Sequence, residues 1–382
     1  MSSPYFYLIK RPARRPAESK SAAGGEAAPN EHHALLAARV QHWPFAALAQ
    51  SAWEDFEHPA QFQLWERHLR FIGAIHPGRD RLQPDNRLTV ELRYLHRPGS
   101  TEIECVLLGK VFDPDPERAK AGAQALWETL SGVMPVGYAL APAQTVTEFG
   151  TWAGYDLTQD AQIGLAEIRR PAEFLLWTDP DLPLRHLPVA YPFAWQPSGW
   201  ETVWAAQSRL AAPTLIAVSL RPTGLPQVDE IALGEMAHLL NVAAAEARPP
   251  LSARAAEAAA YYLDHLRAGR GLFVVRVSVV GPPALRQVVC AALTGPAWPR
   301  GEMASFGLAE VVEPTAEDRP TALANLTLLE HDRWGLACLP EPFEQLRYLS
   351  DAAGALSAFR LPLLPPARIP GLSVGTEVQP GS

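Results

Sequence analysis

Leu88-Thr89-Val90-Glu91-Leu92-Arg93-Tyr94 alternates apolar and polar side chains with a period of two, the pattern of a strand half-buried on a core. Arg97-Pro98-Gly99-Ser100 reads as a turn, and Ile103 to Phe112 is a second apolar run, so the pair predicts a β-hairpin. Asp113-Pro114-Asp115-Pro116 then opens a helix predicted over about 117–132, with carboxylates at the positive end of its dipole. The helix buries Ala121, Leu126, Trp127 and Leu130 and stops near Gly132 and Pro135. A strand pair feeding a helix makes this an α+β chain.

Further along, Ile168 and Phe174 to Trp177 suggest strand, among prolines that break most of 136–200 into loop. A short helix over Trp200 to Leu210 precedes the apolar strand Thr214 to Leu220. Two helices, about 227–247 and 252–268, are divided by Pro249-Pro250, with Ser252 as N-cap of the second. Leu272 to Val280 is a β-branched strand, followed by a helix over 283–294, a strand over Ser305 to Val312 and a short helix around 320–330. The strand–helix–strand order recurs in 88–221 and in 272–312. The expected architecture is two ferredoxin-like α/β units joined by a helical pair.

Upstream of the hairpin, residues 1–10 hold a short apolar run that suits a strand or a docking peptide, and 11–31 read as a flexible linker. From His33 to about Ile75, Leu35, Leu36, Val40, Phe45, Leu48, Trp53, Phe62, Leu64, Trp65, Leu69 and Ile72 recur at near-helical spacing, predicting two or three helices broken near Pro44 and Pro59. The resulting division is 1–31, a flexible segment; 32–225, a helical segment with the first α+β unit; 226–340, the helical pair with the second; and 341–382, a C-terminal linker or docking segment.

The 382 residues are 48% hydrophobic and 19% charged, a globular composition. The formal net charge is −8 although the first twenty positions are basic, which argues against a broad duplex-binding surface. The 37 prolines bracket the predicted elements as rigid loops. Cys105, Cys290 and Cys338 are sparse, odd in number and set in apolar runs, fitting a reducing compartment. No signal peptide or membrane span is expected, and the predicted location is cytoplasmic.

Motifs for catalysis are missing. No G-x-x-x-x-G-K-[ST] occurs: Lys110 follows Gly109, but Val111 stands where Ser or Thr is needed. Gly269-Arg270-Gly271 precedes its strand, whereas a dinucleotide site needs glycines after it. There is no G-x-S-x-G, no H-E-x-x-H and no paired cysteines, so no cofactor or metal is expected. Glu330-His331-Asp332-Arg333 is either an acid/base cluster or a charged helix end, with the helix end the better account. Cys290 reads as a core residue. Among 11 tryptophans, Trp53, Trp65 and Trp127 fall on apolar faces, whereas Trp195, Trp200 and Trp204 around Pro197 and Gly199 are candidates for an exposed contact surface.

Near the C-terminus, Ser350-Asp351-Ala352-Ala353 opens a short helix ending in Phe359-Arg360-Leu361-Pro362, followed by Ile369-Pro370-Gly371-Leu372. This resembles the segment that closes the N-terminal, non-motor region of HerA/FtsK-like ATP-binding proteins and the related conjugation and type IV secretion ATPases. Tyr191-Pro192-Phe193-Ala194-Trp195, Leu220-Arg221-Pro222-Thr223 and Tyr261-Tyr262 leading into Leu272-Phe273-Val274-Val275-Arg276-Val277 are similar to the middle of that region. The likeness spans roughly 85–375, and the Phe-Arg-Leu-Pro segment is its distinctive part.

In that family a nucleotide-binding motor follows; here neither its phosphate loop, nor its acidic magnesium ligand, nor its arginine finger can be carried over. The resemblance therefore implies a non-catalytic accessory or adaptor subunit whose P-loop ATPase is a separate chain, in DNA translocation, secretion or phage defence. Ring-shaped motors invite a homo-oligomer, and nucleic acid would be met only indirectly. Phe359, Arg360, Leu361, Pro362, Pro370 and Gly371 would then lie near the partner junction, or else pack as a tail on their own body. Two other classes compete: an enzyme whose acid and base groups are gathered by the fold, and a single-strand binder stacking bases on tryptophans.

Overall fold

The 88–113 hairpin forms as its sequence predicts and lies in the middle of a large antiparallel sheet. The computed structural model describes residues 4–12, 30–52, 60–77, 88–158, 164–170, 172–178, 185–193, 199–268, 271–294, 309–341, 343–363 and 372–378. In chain order, β1 (Tyr7–Pro12) and β2 (Asn30–His42) precede α1 (Phe45–Ala52) and α2 (Ala60–Ile75). The hairpin is β3 (Thr89–His96) and β4 (Glu102–Asp113), followed by α3 (Pro116–Val133) and β5 (Tyr138–Pro142). Helices α4 (Val146–Trp152) and α5 (Tyr155–Thr158) lead to β6 (Leu165–Arg169), the separate hairpin β7 (Ala172–Trp177) and β8 (Arg185–Ala190), α6 (Gly199–Gln207) and β9 (Thr214–Thr223). Then come α7 (Gln227–Glu246), α8 (Leu251–Ala268), β10 (Leu272–Val280), α9 (Pro283–Ala292) and β11 (Glu310–Val312). The chain continues with α10 (Arg319–Leu328), β12 (Leu349–Ser350), α11 (Ala352–Ala358), β13 (Ser373–Val374) and β14 (Thr376–Glu377).

The main sheet runs β1-β2-β4-β3-β9-β10-β6-β11, with β5 and β14 also on β2, β13 on β4 and β12 on β10. Each half follows the same walk of strand, helix, strand, strand, helix, strand. The strand orders β5-β2-β4-β3 and β11-β6-β10-β9 correspond position for position. The halves meet edge to edge where β3 pairs with β9, from Val90↔Leu220 to His96↔Thr214.

Three expectations are corrected. Residues 30–42 form β2, not a helix: its middle residues are buried on both faces, so no period-two alternation shows. The repeating halves begin at β2 and β6, earlier than 88 and 272. The helical pair α7–α8 does not join the halves; it is inserted between the neighbouring strands β9 and β10. Asp115 does cap α3 as read, its carboxylate accepting from the amides of Glu117 and Arg118, with Pro116 in the first turn.

One sheet face is apolar and carries α2, α3, α6, α9 and α11 over Leu36, Val90, Leu92, Ile216, Val218, Val275 and Val277. On the opposite face, α4, α5 and α10 cover Leu35, Leu95, Val106, Leu108 and Leu215. Hairpin β7–β8 packs with α7 and α8 around a second core of Leu175, Trp177, Val189, Leu240 and Tyr262. Among the described residues, no helix is long and apolar enough to cross a membrane.

Candidate functional site

The polar half of the β3 alternation faces no solvent. Thr89, Glu91 and Arg93 are at most 2% exposed, because α10 and the strap that follows it lie across them. The registers Thr89↔Lys110, Glu91↔Ser219, Ser219↔Arg276 and Ser278↔Glu167 place the polar residues of five adjacent strands on one face. The two halves thus contribute to a single buried charged seam.

What the seam holds is backbone. Helix α10 has no basic residue in its last turn, and its final carbonyls are met by cations from the sheet. Arg93 donates to Leu326 O and Ala153 O, and Lys110 Nζ donates to Leu328 O at 2.8 Å. Farther along the strap, Arg276 reaches Asp332 O and Arg169 reaches Trp334 O, each at 2.9 Å. Asn325 fixes the turn from within, donating to Asp332 O at 2.8 Å and accepting its amide at 3.0 Å. The acids neutralise these cations: Glu91 takes Arg93 Nε at 2.6 Å, and Glu167 takes both Arg169 and Arg276. Burial pushes the Glu91 carboxyl up, with Arg93 working against it.

Between the strap and the sheet lies a cavity of about 130 Å³ lined by Thr89, Lys110, Arg221, Leu329, Glu330, His331 and Asp332. Leu329, the C-cap of α10, turns the chain into the strap at φ 51° and ψ 45°. For a bulky side chain this left-handed conformation is costly, and its 1% exposure shows the packing that maintains it. Glu330 pairs with Arg11 from β1 and sits 3.7 Å from Lys110 Nζ.

His331 is 7% exposed and its Nε2 lies 2.8 Å from Ser219 Oγ. Ser219 sits directly opposite Glu91 on the β3–β9 ladder, and its hydroxyl helps to hold the Glu91 carboxyl down against burial. With Glu91 ionised against Arg93, its carboxylate attracts the Ser219 proton, so Ser219 accepts from His331 Nε2–H and Nδ1 keeps its lone pair. That Nδ1 is buried with no hydrogen-bond partner among the described residues. Burial first, then Arg221, Arg276 and Lys110, hold the imidazole well below its usual pKa, so it is neutral at pH 7. The Glu330-His331-Asp332-Arg333 run lies just past the end of α10, and its first three residues wall the cavity. Lys110 and Arg221 join it through strand pairing, which local motif reading does not reveal.

The other predicted residues sit elsewhere. Phe359 and Leu361 are 1% and 2% exposed, Pro362 is buried and Arg360 half-buried. Tyr94 donates to Arg360 O, and Tyr138 donates to Pro362 O at 2.8 Å. Residues 359–362 of the segment thus pack on the chain's own body. Trp200 and Trp204 are each 2% exposed, packed with Tyr94 at ring-centroid distances of 5.2 and 5.4 Å, and so offer no stacking platform. Trp195, Pro370 and Gly371 lie outside the described residues. The exposed large apolar side chains that sequence reading missed include Phe174 and Leu176 on β7, and Val228 and Ile231 at the start of α7. Among the described residues, no group of three His, Cys, Asp or Glu is placed to hold a metal ion. No family model matches the chain, and no curated protein matches it in sequence.

Proposed function

We propose that this chain is a non-catalytic accessory subunit that works by binding, its partner a separately encoded HerA/FtsK-like P-loop ATPase. The observation that carries the reading is the repeated connectivity. The strand orders β5-β2-β4-β3 and β11-β6-β10-β9, each with two helices on the apolar face, support two ferredoxin-like units fused along one edge. The segment from Ser350 to Leu361, which carries the resemblance, closes this double unit by pairing β12 with β10 and burying Phe359. That is the role expected of a segment finishing a non-motor region. A cytoplasmic setting in DNA translocation, secretion or phage defence, and a homo-oligomer around a ring-shaped motor, belong to the same proposal.

Partner contact is then expected on solvent-facing apolar positions. Truncation after Leu349 would strip Phe359 and Leu361 from the core and so report on folding. The informative test is capture from native lysate by the tagged full chain and by a Phe174→Glu/Leu176→Glu variant, with mass spectrometry. Recovery of a P-loop ATPase by the full chain, reduced in the charged variant at unchanged Tm, is the expected outcome. Recovery of no ATPase by the full chain overturns the reading.

The competing reading, an enzyme with acid and base groups gathered by the fold, draws on the cavity at His331. Its weakness is placement: Ser219, the hydroxyl held by the imidazole, is 2% exposed and lies behind the lining residues. A nucleophile there has no route to a substrate.

A further inference from the structure

The cavity under the strap has a composition that selects a ligand. Its wall brings together two cations from different halves of the sheet, Lys110 on β4 and Arg221 on β9, with the hydroxyl of Thr89 on β3 between them. The registers Thr89↔Lys110 and Val90↔Leu220 make these three strands immediate neighbours, so rigid ladders set the spacing. Opposite stand Glu330 and Asp332 with His331 between them. Glu330 already answers to Arg11 and Lys110, and Arg276 stands behind the strap on Asp332 O.

His331 reads the resulting field. Arg221, Arg276 and Lys110 all act against its protonation, so the ring stays a neutral acceptor beside two cations of the cavity wall. At the same time its Nδ1, an acceptor once Nε2–H donates to Ser219 beside the Glu91 carboxylate, lacks a donor among the described residues. A fitting occupant must accept from a lysine, an arginine and a hydroxyl, and must donate one proton to a neutral imidazole. It must also be small enough for a cavity of about 130 Å³. A chloride or a fully deprotonated oxyanion satisfies the first demand and fails the second. A metal cation suits the imidazole and the acids but is opposed by Lys110 and Arg221.

We propose that this cavity binds a phosphate group in its monohydrogen form, with Lys110, Arg221 and Thr89 donating to its oxygens and His331 Nδ1 accepting its P–OH. The phosphate is either free or the exposed end of a small monoester. The bound group would tie β4, β3 and β9 to the strap and so lock both halves to α10. This inference does not rest on the accessory-subunit reading, and either can fail without the other.

The test uses the full chain labelled with 15N-histidine, titrated at pH 7.5 with sodium phosphate, and with sodium sulfate at matched ionic strength. Sulfate has the same shape and no proton to give at this pH. Binding is expected to move the His331 Nδ1 resonance and to raise Tm along a saturating curve, at least tenfold more weakly with sulfate. Thr89→Val and Arg221→Gln are each expected to weaken phosphate at least tenfold. Titration with O-phosphoserine separates the sources: a matching shift assigns a monoester, and silence with phosphate active assigns the free ion. An unmoved His331 resonance overturns the proposal, as does an equal effect of sulfate or stabilisation by Zn²⁺ or Mg²⁺ with none by phosphate. Because the resonance is read on the unsubstituted chain, a variant that fails to fold does not decide the matter.

Discussion

Arg93 is fully buried and spends its donors on Glu91, Ala153 O and Leu326 O, so it joins a strand, a helix end and the α10 terminus at one point. Replacing it by methionine keeps the stem but leaves Glu91 charged, buried and without its closest cation, and frees two carbonyls. Losing one member of a buried pair costs about 3–5 kcal/mol, and Arg93→Met is expected to lower the stability from urea unfolding by that amount. A loss below 1 kcal/mol would mean water reaches the seam. The double change Arg93→Met/Glu91→Leu should recover part of the loss, because no lone charge then remains.

Buried histidines make a second residue-scale prediction. His68 on α2 is held at a pKa of about 3, first by burial and then by Arg360 and Arg67, against about 6.5 unfolded. His331 is displaced in the same direction. A depressed folded pKa means the unfolded chain binds more protons. For His68 the associated stability is therefore complete above pH 6.5 and is lost as pH falls from there toward 3, at about 1.4 kcal/mol per pH unit. His68 Nε2 has no partner among the described residues, so His68→Leu should cost little at pH 7. It should also flatten the pH dependence between 6 and 4.5 by one proton. An unchanged slope would show that His68 titrates normally.

At the scale of elements, α3 approaches β4 through missing side chains. A Cβ at Gly109 would sit 2.8 Å from Leu126 Cδ2, and one at Gly122 would sit 2.7 Å from Val111 Cγ1. Gly109→Ala is therefore expected to cost about 1–3 kcal/mol by overpacking, read as a lowered urea midpoint with an unchanged slope. No loss would mean Leu36 and Leu126 repack freely. The elements legible in the sequence were those whose pattern is local: the β3–β4 turn at Gly99, the Asp115 cap of α3, the Pro249-Pro250 break between α7 and α8, and the apolar β9 and β10. β2 was not legible, because Leu35, Leu36, Ala37, Ala38 and Val40 are buried between two layers and neighbouring strands. A run apolar on both faces has no period, and its alanines and leucines fit a helix equally well. The cavity was half legible. Glu330-His331-Asp332 stands out as a charged run, but Thr89, Lys110 and Arg221 join it through strand pairing between residues far apart in sequence. Thr89, Glu91 and Arg93 misled for the same reason, since the strap that buries them lies more than two hundred residues later.

For the whole molecule, the question is whether two halves with matching connectivity behave as two domains. Across their boundary run the β3–β9 ladder and the seam. Arg93 from the first half ends on the last turn of α10 and Arg276 from the second on the strap that follows it, and Lys110 and Arg221 face one cavity. The apolar face is shared as well: Tyr94 of the first half packs on Trp200 and Trp204 of the second, and Gln207 donates to Tyr94 O at 3.0 Å. Either half alone would expose an edge strand, a buried charge row and a layer of aromatic side chains together. Calorimetry is expected to show one transition for both halves, with calorimetric and van't Hoff enthalpies agreeing within about 20%. The α7–α8 pair with β7–β8 has its own core and is placed to melt separately. Arg276→Met, which cuts a strap contact from the second half, should lower the temperature of the common transition without splitting it. If it produced two transitions, one retaining the stability of the first half, the seam would be a contact between independent units and not their common core.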